Sequence, residues 1–320
     1  PIDAAGALED IEIPEPVPGP RDLLVRVKAV SVNPVDTKVR RGSAPPAGQA
    51  KVLGWDAVGI VEAVGAAAEG FAVGDRVWYA GSIRRPGANS ELHAVDARIV
   101  SKAPTSLDDA GAAAMPLTAI TAWELLFDRL RVPQGGGAGR KLLVVGGAGG
   151  VGSMLIQLAR QLTKLLVVAT ASRPESREWC LELGAHAVID HTQPLSAALE
   201  SAGIGQVDLV ASLTQTSAHY AGIIDSLKPQ GALGVIDDME GLSPEALKVK
   251  SISLHWELMF TRPVFETADM HEQGVLLGKV ARLVDAGRVR TTANAAFGRI
   301  DAANLTRAHA LIESGKAVGK

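Results

Sequence analysis

Gly147, Gly149 and Gly152 fall at the spacing G-x-G-x-x-G inside LLVVGGAGGVGSMLIQLAR, residues 142–160. Glycines so spaced can wrap a backbone around a pyrophosphate. The first makes a tight turn, the second lets the main chain approach the phosphates, and the third lets a helix pack closely on a strand. The helix that follows, expected over 153–163, offers unpaired N–H groups and the positive end of its dipole to anions, and Gly150 and Val151 join the three glycines as cofactor-binding candidates. The spacing alone also fits a glycine turn with no ligand. The apolar run before it and the helical pattern after it supply the strand–turn–helix that a dinucleotide site requires.

The next informative position lies about 20 residues further on, where an acidic side chain ending the second strand would hold a ribose 2′-hydroxyl. The strand-like run LLVVA at residues 165–169 leads instead into Thr170, Ala171, Ser172 and Arg173. Hydroxyls and a planar guanidinium suit a 2′-phosphate, so NADP(H) is expected over NAD(H). The plainer account of Arg173 is a solvated residue at a helix start. Glu175, past Pro174, suits the first turn of the next helix. His191 follows a third strand and would lie toward the adenosine end of such a cofactor, where most residues are strand caps.

These residues need a scaffold, and 320 residues suffice for two domains. A net charge of -3 with 21% charged residues gives no basic field for nucleic acid or an anionic membrane. The partner expected is a small-molecule electron acceptor. The pairs Arg40-Arg41 and Arg84-Arg85 read as solvated loop charges. No apolar segment approaches the roughly 20 residues of a bilayer span. The single Cys180 rules out an internal disulfide and suits a reducing, cytoplasmic setting.

The elements divide by pattern. Up to about residue 100 the chain is β-rich, with strand-like runs at 23–30, 59–65 and 74–79 between glycine and proline turns, which predicts compact barrel-like packing. A helical pattern starts near Leu107. From residue 142 strands and helices alternate, which predicts a doubly wound parallel sheet of Rossmann type and an α/β class. Residues 252–260 form a further strand candidate and 271–286 an amphipathic helix.

Six blocks in order, SVNPVDTKVRRG (31–42), GWDAVGIVEAVG (54–65), GDRVW (74–78), PLTAITAWELL (116–126), GGAGGVGSMLIQLAR (146–160) and TASRPESREW (170–179), resemble the medium-chain dehydrogenase/reductase superfamily. Within it the chain resembles the zinc-free, quinone oxidoreductase-like branch labelled zinc-type alcohol dehydrogenase-like proteins. The resemblance implies a GroES-like, β-rich catalytic domain over 1–115, an NADP-binding Rossmann domain over 116–265, and a return segment over 266–320 that completes the first. It also implies a homodimer built through the strand near 252–260.

Zinc-dependent relatives hold a catalytic zinc with Cys, a His-Glu pair and Cys. In the matching blocks Asn33 replaces the first cysteine and Trp55-Asp56 the pair. One cysteine cannot make a four-thiolate structural site, and the seven histidines show no ligand spacing, so no zinc is expected. Without a Lewis acid for an alkoxide, electron-poor acceptors that spread the incoming charge over a π-system are favoured. The expected activity is therefore NADPH-dependent hydride transfer to a quinone or activated alkene (enone). The alternative is an NADP(H)-binding sensor or structural protein with little turnover, and the missing ligands oppose a zinc-dependent alcohol dehydrogenase.

The resemblance puts Asn33 beside the nicotinamide as a hydrogen-bond donor, although Asn-Pro is also a common turn pair. Asp36 orients that loop in this scheme, and Lys38 stands where relatives often have Tyr. The proton source stays open between Lys38, Tyr79 and water. Thr118 and Thr121 either contact the nicotinamide half or bond back within a helix. Trp256, Met259 and Phe260 either line the acceptor pocket or belong to the dimer strand.

Overall fold

The computed structural model describes residues 7–42, 45–46, 48–239, 241 and 243–320. Residues 1–6, 43, 44 and 47 of the expected catalytic domain, and residues 240 and 242 of the expected Rossmann domain, lie outside the described set. The chain divides into two compact units, Pro1–Ile120 with Phe260–Val318 and Lys320, and Thr121–Met259 with Gly319.

The first unit is built on β1 (Asp22–Val30), β2 (Ala57–Val64), β3 (Arg76–Tyr79), β4 (Leu92–Asp96) and β5 (Ser101–Lys102), in the order β4-β1-β2-β3-β5. The β1–β2, β1–β4, β2–β3 and β3–β5 pairs are antiparallel. Along β1, Leu23, Val25 and Val27 turn inward to a core shared with Ala57, Val61, Val77, Tyr79 and Ile99. The alternation follows from the period of two along a strand.

Where the sequence suggested an Asn-Pro turn in an irregular stretch, helix α1 (Pro34–Gly42) begins. Pro34 suits the first helical position, where its missing N–H would have had no partner. Asp36 Oδ2 accepts the Asn33 N–H at 2.7 Å, so a carboxylate at the third helical position reaches back to the cap residue.

Then come α2 (Asp109–Ala113) and α3 (Pro116–Trp123), and a π-helical turn over Glu124–Arg129. Residues Asp109–Arg129 form one helical stretch of 21 residues, apolar and long enough to cross a bilayer by length and composition, which corrects the expectation that no segment approaches that length. Its apolar window is 89% buried inside the fold, as in a core helix.

The second unit contains β6 (Lys141–Val145), α4 (Gly150–Leu162), β7 (Leu166–Thr170), α5 (Pro174–Glu182), β8 (Ala187–Ile189), α6 (Leu195–Ser201), β9 (Val207–Ser212), α7 (Thr216–Ser226), β10 (Leu227–Val235), α8 (Glu245–Lys248) and β11 (Ser253–Trp256). Its six strands pair in parallel in the order β11-β10-β9-β6-β7-β8. The strand order reverses between β6 and β9, which is where an open α/β sheet offers a ligand crevice at its carboxyl edge. Leu143, Val145, Val168, Val210, Leu233 and Val235 fill the core between sheet and helices.

The strand expected over 252–260 is shorter. Glu257 N–H still donates to Val235 O at 2.9 Å, after which the chain turns into α9 (Thr261–Phe265). Met259 and Phe260 are therefore buried rather than in strand, while Trp256 on the sheet edge is 52% exposed. Helices α10 (Glu272–Asp285) and α11 (Ala302–Glu313) belong to the first unit.

At the π-helical turn of the second unit, Glu257 is buried, paired with Arg129 (Nε to Oε2, 2.7 Å) and set against the buried Glu124. Burial, then the neighbouring Glu124, push the Glu257 carboxyl well above the usual range. A carboxyl raised in the folded state costs stability as pH climbs from its ordinary value toward the raised one. Glu257→Gln is therefore expected to lose less stability than the wild type between about pH 5 and 8, by about 1 kcal/mol. Urea unfolding at the two pH values checks this, and equal losses in both proteins would refute it.

Candidate functional site

The glycine-rich turn sits at the carboxyl end of β6, as the spacing predicts, but its parts are distributed differently. Gly146, not Gly147, adopts the left-handed conformation of the turn (φ +85°). Its N–H donates to Thr170 Oγ1 at 3.0 Å, and Gly149 N–H donates to Gly146 O at 3.2 Å to close the turn. Gly147 is required for a different reason, because a Cβ there would stand 2.7 Å from Ala169 Cβ and 3.1 Å from the Cys180 sulfur. At Gly152 a Cβ would stand 2.4 Å from Gly146 O and 2.5 Å from Gly147 O, so the third glycine lets α4 pack closely on the turn that follows β6 rather than on the strand itself.

Gly149 caps the start of α4 with no side-chain hydrogen bond, and a Cβ there would meet only Gly146 O at 3.6 Å. Gly150 and Val151 follow as the first helical residues. The cap residue thus leaves room beside it and, being glycine, brings no side chain of its own to compete for the N–H groups at the helix start. This cradle fits a pyrophosphate. Sequence reasoning missed Gly319, which forms a parallel bridge with Gly149 and donates its N–H to Ala148 O at 2.8 Å.

At the end of β7 the predicted residues separate. Thr170 is buried and its hydroxyl holds the Gly146 turn, so its role is to shape the loop. Ser172 is exposed, and Arg173 at the cap of α5 is partly exposed, with its guanidinium 3.5 Å from Glu175 in the first helical turn. No carboxylate stands between β7 and Pro174. His191 is half-buried, its ring edge-to-face with His219 at 5.8 Å, and its Nδ1 is buried without a hydrogen-bond partner.

At the strand-order reversal the structure adds Ser212, Thr216 and Asp237. Ser212 Oγ lies 2.7 Å from Thr216 Oγ1, and Asp237 accepts both the Thr216 hydroxyl and its N–H, the latter at 3.1 Å. The position of Ser212 and Thr216 straight after the fourth strand of the alternation was the available signal.

The first unit holds a second constellation. Asn33 Nδ2 donates to Asp56 Oδ2 at 2.9 Å and to Ser31 O at 3.3 Å, and Asn33 Oδ1 accepts from Lys320 Nζ. Both amide hydrogens of Asn33 thus face acceptors of the protein itself. Asp56 Oδ1 accepts the Leu117 N–H at 2.9 Å, tying the loop to the start of α3. Lys320 Nζ also donates to Val32 O at 2.7 Å and lies 3.7 Å from Asp56 Oδ2. Burial drives the Asp36 carboxyl up to about 7 and that of Asp56 up to about 6, each held back in part by Lys320, while burial lowers the Lys320 ammonium.

Other predicted residues lie outside this cluster. Tyr79 belongs to the sheet core, fully buried and stacked on His93, with its hydroxyl 3.1 Å from His93 Nδ1. Burial pushes its phenol far above the usual value, which corrects its candidacy as a proton source. Lys38 is on the exposed side of α1. Thr118 is buried and its hydroxyl donates to Met115 O at 3.0 Å, a bond back within the helical stretch.

The donor set does not fit zinc. Where zinc-dependent relatives present a thiolate and an imidazole, this chain presents the Asn33 amide and Trp55. Trp55 is buried, donates Nε1–H to Ser82 O at 3.1 Å, and meets Phe260 edge-on at 6.4 Å. The carboxylate that stands in place of the pair's second ligand, Asp56, is taken up by Asn33, Leu117 and the Lys320 ammonium. Among the described residues no group of three or more His, Cys, Asp or Glu is placed to hold a metal ion.

Residues 19–105 match the alcohol dehydrogenase GroES-like domain family, and residues 183–320 match the zinc-binding dehydrogenase family. A zinc-type alcohol dehydrogenase-like protein of Staphylococcus aureus is 38% identical over 96% of this chain and 91% of its own length. A solved structure from Rhizobium etli, assigned as a zinc-dependent alcohol dehydrogenase, is 55% identical with a TM-score of 0.96, over 100% of this chain and 93% of that one. A quinone oxidoreductase structure from Pseudomonas syringae is 26% identical with a TM-score of 0.81, over 97% and 93% of the two chains.

Proposed function

Since the chain belongs to the medium-chain dehydrogenase/reductase superfamily and is an oxidoreductase of that type, we propose that it is an NADPH-dependent reductase of quinones or activated alkenes that works without zinc. The observation that carries this reading is the replacement of a metal donor set by the Asn33–Asp56–Lys320 network. With no Lewis acid to stabilise an alkoxide, acceptors that delocalise charge are the better substrates.

When bound, the coenzyme supplies a hydride from its nicotinamide ring. Gly149, Gly150, Val151 and Gly152 hold its pyrophosphate at the start of α4, and Ser172 and Arg173 bind the 2′-phosphate. Arg173 is drawn toward Glu175 at 3.5 Å, a weak exposed pair that a phosphate dianion displaces. The Asn33 loop positions the acceptor, and its amide, with both hydrogens engaged, acts by holding the loop rather than by donating. Water then provides the proton.

The same engagement of Asn33 is what favours the second reading, a protein that binds NADP(H) with little turnover, since binding alone needs no donor. Oxidation of NADPH by metal-stripped protein, over a quinone panel and an enone panel, separates the two. Turnover that survives chelation supports the reductase; tight NADPH binding with no turnover supports the sensor; activity only after zinc is restored overturns both.

The coenzyme preference has its own test. Arg173→Ala is expected to weaken NADPH binding by about 10- to 100-fold, the loss of one charge-assisted contact, and to leave NADH binding within about twofold. Calorimetric titration of both coenzymes checks it, and equal losses for the two would show that Arg173 does not read the 2′-phosphate. The exposed edge of β11, with Trp256 and the following Leu258 about half exposed, supports a homodimer that extends the six-stranded sheet, in a cytoplasmic protein.

A further inference from the structure

We infer that Lys320 is the positioning residue of the Asn33 loop, setting which way the Asn33 amide faces and supplying the positive charge buried against Asp36 and Asp56. The inference deepens the reductase reading and rests on it for the last readout alone. An amide end can be exchanged for the other by a half-turn about its last bond, and shape alone barely distinguishes the two. Here charge decides. Asn33 Oδ1 faces the Lys320 ammonium, and Asn33 Nδ2 faces the Asp56 carboxylate at 2.9 Å. The turned amide would set NH₂ against ammonium and oxygen against carboxylate, so both ends select the same orientation.

The backbone contact is consistent with this. Lys320 Nζ also takes Val32 O at 2.7 Å, so the ammonium grips the residue before Asn33 as well as its side chain. Its side chain is 3% exposed, which places the charge in a medium where it acts strongly. The charged groups acting within this cluster are Asp36 from α1, Asp56 before β2, and Lys320 itself. One cation therefore stands against two buried carboxyls, and its removal leaves them with hydrogen bonds but no counter-charge.

The test compares wild type, Lys320→Met, Lys320→Arg and the double variant Lys320→Met with Asp56→Asn. The first readout is the folding equilibrium of the coenzyme-free protein between about pH 5.5 and 8. Without the ammonium the two carboxyls are raised further, and a raised carboxyl destabilises the fold as pH climbs toward its folded value. Lys320→Met is expected to lose about tenfold more in folding equilibrium constant than wild type over this interval, for each unit by which a carboxyl rises. Lys320→Arg should restore the wild-type profile, and the double variant should flatten it by removing the more closely paired carboxylate. Parallel profiles for Lys320→Met and wild type would overturn the inference, as would a double variant as steep as the single one. Should Lys320→Met fail to fold, recovery of folding in the double variant supports the inference, because it removes the charge that lost its partner, and a double variant that also fails to fold overturns it.

The last readout uses the best acceptor from the panel. In Lys320→Met, kcat should fall about tenfold or more, with NADPH affinity within about twofold of wild type and recovery in Lys320→Arg. An unchanged kcat would overturn the positioning role. If wild type turns over no acceptor, the reductase reading fails while the pH profiles still decide the inference.

Discussion

Asp56→Ala is expected to destabilise the protein by about 3–5 kcal/mol, the largest loss we predict for a single carboxylate here. The substitution removes the acceptor of the Asn33 amide and of the Leu117 N–H, and strips a buried ammonium of its nearest counter-charge at 3.7 Å. Three groups each lose one partner in a place that water does not reach. Asp56→Asn should cost clearly less, because an amide oxygen can still accept from Leu117. Urea unfolding of both variants at pH 7 measures the difference. An Asp56→Ala protein within about 1 kcal/mol of wild type would show the network to be a minor contributor.

Gly152→Val is expected to weaken NADPH binding by about 100-fold or more, since an added side chain must push the Gly146 and Gly147 carbonyls out of the turn they form. Both oxygens are backbone, so the relief has to come from the turn itself. The Gly149→Ala protein separates shape from ligand approach. Its Cβ makes only an ordinary contact of 3.6 Å, so folding should be nearly unaffected, whereas a methyl group where the main chain meets phosphate should still lower affinity. Calorimetry for binding and thermal unfolding for stability give the two quantities separately. Were Gly152→Val to bind NADPH as tightly as wild type, the pyrophosphate would not lie at this turn.

Much of this was legible in the chain because local patterns carry it. The run LLVV before a glycine cluster predicts a buried parallel strand entering a turn, and the alternation from residue 142 onward predicts the doubly wound sheet, both of which the structure contains. The assignment of the turn itself to Gly147 was off by one, since spacing identifies which residues lack side chains but not which of them takes a positive φ. The helix α1 was missed because Asn33-Pro34 serves equally as a turn and as a helix start, and only the reach of Asp36 back to the Asn33 N–H decides between them. Tyr79 illustrates a tertiary effect. A tyrosine ending a strand can face solvent or core, and the pairing of β3 with β2 turned it inward onto His93. Nothing local linked Lys320 to Asn33, 287 residues away, and contacts of that separation are set by how the chain returns on itself.

Cys180 has a chemical consequence for any catalyst of soft electrophiles. Quinones and enones add readily to thiolates, and a thiolate is the nucleophilic form of cysteine. The only sulfhydryl of the chain is buried beneath Gly147, and burial pushes it up to about 12. At neutral pH it is almost wholly protonated and shielded. A reductase of such acceptors built on this chain would escape arylation or Michael addition at sulfur, so repeated turnover would not consume the protein through its own cysteine.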